Sequence, residues 1–173
     1  MINFTNSDGQ PFVDPRAAAF LAVVDRLKSD GVLNVHVKKW KAIPITPIDL
    51  TLADLPYVII SLAAGPISVA SPNSHSNSLN IGIKYAVDAS GFNEETAWLD
   101  VLNLYGQIEM AIDPFGDDAW IRDAIKAANP TAVYEGMAFT KAGFTSIPVA
   151  GADAIQADCV LSVALKLKPC RRT

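Results

Sequence analysis

Apolar and polar positions fall along this chain in blocks whose period changes from segment to segment. After Asp14-Pro15, a favourable cap and first-turn pair, Ala17, Phe20, Leu21, Val24 and Leu27 recur at helical spacing until Ser29-Asp30-Gly31 stops them. This predicts a first helix. Leu33, Val35 and Val37 then alternate with Asn34, His36 and Lys38, the pattern of a half-buried strand with His36 turned from the core. From Lys41 to Pro56 the chain carries Pro44, Pro47 and Pro56 among isoleucines and leucines. Proline cannot donate to a sheet ladder, so 41–56 is expected as an extended arm or connection whose apolar residues need a partner surface. Tyr57 to Ala63 reads as a strand buried on both faces.

Residues 65–78, ending in "SPNSHSNS", are expected to form a polar loop. Beyond it Leu79, Ile81, Ile83, Tyr85 and Val87 alternate strictly with Asn80, Gly82, Lys84, Ala86 and Asp88, which predicts a strand with one apolar and one wet face. Asn93 is placed to cap a helix in which Trp98, Val101, Leu102, Tyr105, Ile108 and Ile112 form one apolar stripe, ended by Pro114. Asp117 to Ala128 predicts a shorter helix with Trp120, Ile121, Ala124 and Ile125 inward. Met137 to Val149 suggests a hairpin-like pair around Lys141-Ala142-Gly143. Cys159, Leu161, Val163, Leu165 and Leu167 then mark a final amphipathic strand. The expected fold class is α+β: a mixed, mainly antiparallel sheet packed by an N-terminal helix and a central amphipathic helix, with an additional short helix.

Composition narrows the setting. The 173 residues suffice for one core, so a single domain over 1–173 is expected. Half the residues are hydrophobic and only 18% are charged, which leaves apolar surface to be buried, some of it between subunits. The formal net charge of −4 provides no basic field for nucleic acid. The terminal Lys166, Lys168, Arg171 and Arg172 are read as solubilising a strand end. Cys159 lies in an apolar run and Cys170 in a polar tail, so no disulfide is implied and a reducing cytoplasm fits. Met1 to Gln10 lacks a signal-peptide pattern and is expected to be retained. The longest apolar stretch, Leu55 to Ala70, is broken by Gly65-Pro66 and falls short of the roughly 20 residues of a membrane helix. A soluble protein with no membrane partner is expected.

The reactive side chains form no motif. His36 and His75 have no Cys or His at metal-ligand spacing, and no serine sits in a Gly-x-Ser-x-Gly elbow. Gly91 and Gly106 are isolated, so no phosphate loop precedes a helix, and the turn Ala89-Ser90-Gly91-Phe92-Asn93 is chemically inert. Asp113, Asp117, Asp118 and Asp123 surround the short helix as capping charge, and Glu94 and Glu95 occupy the first turn of the long one. Trp98 and Trp120 fall at core positions. Trp40, beside Lys38, Lys39 and Lys41, is a candidate for an exposed contact, with core packing the equal alternative. The expectation is a non-enzyme with no catalytic residue, no cofactor and no metal.

The order of elements resembles the tail-terminator, or tail-completion, proteins of long-tailed bacteriophages, of the lambda minor tail protein U type. The segments that carry the resemblance are "AAAFLAVVDRL", "LPYVIISLA", "LNIGIKYAVDASGFNEETAWLDVLNLYGQIEMAI" and "CVLSVALKL" after "KAGFTSIPV". The resemblance implies a virion protein of the tail or neck, assembled in the host cytoplasm. It implies a homo-oligomeric ring, usually a hexamer, seated on the tail tube protein, ending tube growth and meeting head-completion or neck proteins. DNA would pass through its lumen without specific binding. On that basis Trp40, Ile43, Ile45 and Ile48 of the arm and Asn73, His75 and Asn77 of the loop are interface candidates, and Asp88 and Asp100 are lumen candidates. The extra helix 117–128 and the long connection near Pro44 depart from the compact family pattern and leave open another neck or tail-tube ring. Two alternatives stand beside it. One is a small hydrolase or ligand-binding α+β domain using His36 or His75 with a distant carboxylate, and the other an adaptor that binds through a sheet edge.

Overall fold

A computed structural model describes residues 4–5, 11–12, 14–42, 51–63, 67–71, 74–90, 94–113, 116–149 and 152–167. In chain order the elements are β1 (Phe4–Thr5), β2 (Pro11–Phe12), α1 (Pro15–Ser29), α2 (Gly31–His36), β3 (Lys39–Ala42), a 3-10 turn (Leu52–Asp54), β4 (Tyr57–Ala63), β5 (Ile67–Ser71), β6 (Ser74–Asp88), α3 (Glu94–Ile112), α4 (Ala119–Ala128), β7 (Val133–Val149) and β8 (Ala152–Leu167). Strands β1 and β2 pair with each other. The main sheet runs β3-β4-β6-β8-β7, with β5 also on β6. Only β3 and β4 are parallel, so the fold is α+β with a mixed, mainly antiparallel sheet, as expected.

Local chemistry explains the first helix. The Asp14 carboxylate accepts from Arg16 N at 2.8 Å, and Pro15 supplies the fixed φ of the first turn. The next segment corrects the sequence expectation. Residues 33–37 are not a strand, because Asp30 accepts from both Val32 N (3.0 Å) and Leu33 N (2.8 Å) and starts the short helix α2. Leu33 and Val37, read as two of three alternating inward positions, are instead four apart on one helical face, and both are buried. Val35, which strand alternation would bury with them, is 77% exposed.

Two further corrections concern strands. The segment 65–78, expected as a polar loop, contributes β5 and the first part of β6, with Ile67 opposite Asn77 and Ser68 opposite Ser76. Its polar residues hide the strand because pairing with β8, Ser76 to Lys166 and Asn77 to Leu165, sets the conformation in place of apolar alternation. The expected turn at Lys141-Ala142-Gly143 is the middle of β7, with Gly143 opposite Asp158. Register shifts between Tyr134 and Gly136 and between Phe139 and Lys141 absorb extra residues there, and Gly136 takes φ +145. Of the expected arm 41–56, Lys41 and Ala42 lie in β3, and 51–56 contains the 3-10 turn; 43–50 lies outside the described residues.

The core lies between one face of the sheet and the helices. Ile81, Ile83, Tyr85 and Val87 of β6 and Ile155, Ala157, Cys159, Leu161, Val163 and Leu165 of β8 line the sheet side. Helix α3 meets them through Ala97, Val101, Leu104, Ile108, Ala111 and Ile112. The apolar stripe of α3 is therefore rotated from the expected one: Leu102 is exposed and Trp98 only partly covered, with its ring 6.1 Å from that of Phe144. Burial pushes the Cys159 thiol up to about 12, with Glu109 and Asp158 adding to it, so it behaves as a core hydrophobe. Cys170 lies outside the described residues.

Among the described residues, the other sheet face is covered only at one end. There Leu55, Tyr57, Ala86 and Ala154 form a second small cluster with Leu52, Ile59 and Ile147 against it. Burial on both faces therefore holds for the start of β4, while Leu62 near its end is exposed. Elsewhere this face is polar, with Ser162 Oγ donating to Asn80 Oδ1 at 2.7 Å and Lys84 Nζ 3.6 Å from Asp158. Lys39 Nζ, 2.8 Å from Asp54, ties the 3-10 turn to β3, and Asp54 also accepts from Thr51 N. Lys39 first, then Thr51, hold the Asp54 carboxyl at about 2, below the usual 3.8.

Two outcomes follow from this packing. Ile108→Ala removes a fully buried side chain from the C-terminal half of α3 and is expected to cost about 2–5 kcal/mol. Leu102→Ala, one and a half turns away on the exposed side, should change monomer stability by no more than about 0.5 kcal/mol, both measured by denaturant unfolding. Because the folded Asp54 carboxyl lies below its unfolded value, its contribution is complete above the ordinary carboxylate range and is lost as pH falls from about 4 to about 2. Thermal unfolding of Asp54→Asn should be less pH-dependent in that window than the parent.

Candidate functional site

The sequence candidates scatter over several surfaces. Trp40 stands opposite Val58 on the core-facing side of β3, half-buried, and its indole N–H has no hydrogen-bond partner. Ile43, Ile45, Ile48 and Asn73 lie outside the described residues. His75 and Asn77 occupy the first part of β6, opposite Leu167 and Leu165 of β8. This part of β6 extends beyond its pairing with β4, which ends at Asn80. Strand β5 takes over on that side.

Asp88 and Asp100 come together with groups that sequence reading left apart. Helix α2 and Lys38 after it, the end of β6 at Val87 and Asp88, the middle of α3 and Leu55-Pro56 line a groove of about 540 Å³. Leu33, Leu55, Val87 and Leu104 give it an apolar floor, half-exposed Val32 stands at its edge, and His36, Lys38, Asp88, Asp100, Asn103 and Gln107 give it a polar rim. Each position has a local cause. His36 ends α2, whose start is fixed by Asp30, and Gln107 Nε2 donates back to Asp30 Oδ1 at 3.2 Å, holding α2 against α3. Asp88 accepts from Ser90 N at 2.8 Å and from the Ser90 hydroxyl at the turn out of β6. Those bonds to Ser90, and then the charge of Lys38, keep its carboxyl below the usual range. The two candidate lumen acids thus share their groove with Lys38 and His36.

Chemically, the rim offers one imidazole, two carboxylates, one ammonium and two amides, with no Ser, Thr or Cys among the described residues of the lining. That set can hold a polar ligand or exchange a proton, and it has no side-chain nucleophile of the acyl-transfer kind. Among the described residues no cluster of three or more His, Cys, Asp or Glu could hold a metal ion. No helix among them is long and apolar enough to cross a membrane.

A second feature lies on the outside of α3. Leu99, Leu102 and Met110 are each about half exposed, and with Gly106 they follow 3-4-4 spacing along one helical stripe. A Cβ placed on Gly106 would meet nothing within 4 Å, so the stripe has an open notch at its centre. The signal was present in the sequence, where α3 carries apolar residues beyond what one stripe needs. Assigning Leu102 to the buried stripe concealed it. Leu21 on α1 and Val32 and Val35 on α2 are further exposed large apolar side chains.

Comparison with known proteins gives little. No family model matches the chain, and no curated protein matches it. Among solved structures, a chain from the virion of a native gene transfer agent particle matches at a TM-score of 0.42 and 19% identity, over 85% of this chain and 93% of that chain. A likeness of that degree carries no functional conclusion.

Proposed function

We propose that this protein is a structural virion subunit that works by assembly, forming a ring at the head-proximal end of a phage tail tube. The single observation that carries assembly is the two-faced apolar character of α3. One face is buried on the sheet, and the opposite one, Leu99, Leu102 and Met110, has no cover among the described residues. A helix that is apolar on opposite sides buries one face in its own fold and leaves the other as an apolar strip suited to a partner. The segment-by-segment resemblance to tail-terminator proteins supplies the kind of assembly: the ring, a hexamer in that family, would end tube polymerisation and offer the head or neck a joining surface. A different neck or tail-tube ring uses the same surfaces and remains the alternative within this class.

The β5–β6 hairpin, carrying His75 and Asn77, is the natural element to reach a neighbouring ring, since its strands run past the β4 pairing. The lumen role proposed for Asp88 and Asp100 requires the groove between α2 and α3 to face the DNA path. Outside this class, the groove itself favours a small-ligand or hydrolytic function centred on His36, with Asp88 and Asp100 within the same rim. A neutral-pH transition in binding or turnover that disappears in His36→Ala would support that alternative.

The deciding experiment is negative-stain electron microscopy of the protein mixed with isolated tail tubes from its source. The proposed function requires a cap on one end of each tube, and caps that fail to form with a variant replacing Ser74–Ser78 by Gly-Ser repeats would place the hairpin in the contact. Bare tubes at saturating protein would overturn it.

A further inference from the structure

Charge is segregated along this chain. Between Pro15 and Ala42 six basic residues, Arg16, Arg26, Lys28, Lys38, Lys39 and Lys41, stand against Asp25 and Asp30, a net charge of +4. Helix α3 carries four acids and no Lys or Arg. Its exposed stripe is therefore both apolar and acidic, with Glu95 and Glu109 alongside and Asp113 just past its end. Two copies of that face would bring only like charges together, which disfavours symmetric α3 self-pairing. A partner for it must be apolar and basic.

This chain presents such a surface. Val35, the most exposed large hydrophobe among the described residues at 77%, and Val32 at 49% project from α2, a one-and-a-half-turn helix flanked by Lys28 and Lys38. Both lysines are exposed, and neither forms an ion pair within hydrogen-bonding range among the described residues. We propose that the Val32–Val35 knob of α2 in one copy docks on the Leu99–Leu102–Gly106–Met110 stripe of α3 in a second copy. The notch at Gly106 admits a valine, and Lys28 and Lys38 meet the acids of α3.

Because knob and stripe are different surfaces of one chain, the contact is heterologous: every copy presents one of each, and assembly continues until rotation closes it. This deepens the ring reading and rests on it for closure, while the contact itself is tested separately. The charge complement also gives the contact a direction, since docking α2 on α2 or α3 on α3 is repulsive.

The test uses paired cysteines in a Cys170→Ser background, where the remaining Cys159 is buried. Val35→Cys and Gly106→Cys are made singly and together, and the proteins are oxidised with diamide at high concentration. Val35 is exposed and a Cβ at Gly106 meets nothing within 4 Å, and thermal unfolding close to that of the parent checks that each variant is folded. The double variant should give a disulfide ladder running past the dimer, and an equimolar mixture of the two single variants should stop at the dimer. Adding Lys28→Glu and Lys38→Glu to the double variant should reduce the ladder at least about tenfold. A monomeric double variant, or either single variant dimerising as well as the mixture, overturns the proposal. A monomeric double variant whose parent still caps tail tubes overturns this contact and leaves the ring reading standing. A ladder with bare tubes supports the contact and counts against the tail.

Discussion

Helix α3 packs on the sheet through Ala97, Val101, Leu104, Ile108, Ala111 and Ile112, and the other helices take their places from it. Its last carbonyls would be left without partners at the start of a polar connection, and two side chains from other helices satisfy them. Arg26 Nε of α1 donates to Ala111 O at 2.8 Å, and Trp120 Nε1 of α4 donates to Ile112 O at 3.1 Å. A basic group at a helix C-terminus also favours the helix dipole, which α3 cannot supply from its own sequence. The Arg26 guanidinium lies 5.6 Å from the Trp120 ring centre, so one arginine joins three helices. Gln107 and Asp30 fasten α2 to the same helix from the other side.

Beneath this helical layer, β6 and β8 pair without interruption from His75–Leu167 to Asp88–Ala154. Fourteen consecutive pairs make a stiff spine about 45 Å long at roughly 3.3 Å per residue, longer than the helices that cover it. Strand β5 joins this spine beyond the β4 pairing, where Leu165 of β8, opposite Asn77, is still buried in the core. The half-exposed hydrophobes of α3 and α2 lie outside this paired spine and its core.

Much of this was legible in the sequence, and the failures have local causes. The alternation from Leu79 to Val87 and the run from Cys159 to Leu165 each fixed a face, because period two persisted long enough to leave no competing pattern. Five residues, Leu33 to Val37, were too few: Leu33 and Val37 satisfy helical spacing as well as alternation, and the Asp30 cap decided between them. The polar strands of the β5–β6 hairpin and the glycine within β7 were invisible because a partner strand distant in sequence supplies their conformation. The groove was missed for the same reason as α2. Placing His36 on a strand separated it from Asp88 and Asp100, which only the packing of α2 on α3 brings beside it. Trp40, expected as an exposed contact or core, sits on the core side of the edge strand.

What unites these features is that apolar surface on α2 and α3 has no cover among the described residues, and charge of opposite sign is separated onto two helical regions. Analytical ultracentrifugation of the intact protein over a wide concentration range, at two ionic strengths, tests that claim most directly. The account requires reversible association beyond a dimer that weakens as the Debye length shrinks from about 10 Å to about 3 Å. A monomer at every concentration, or association indifferent to salt, would contradict it.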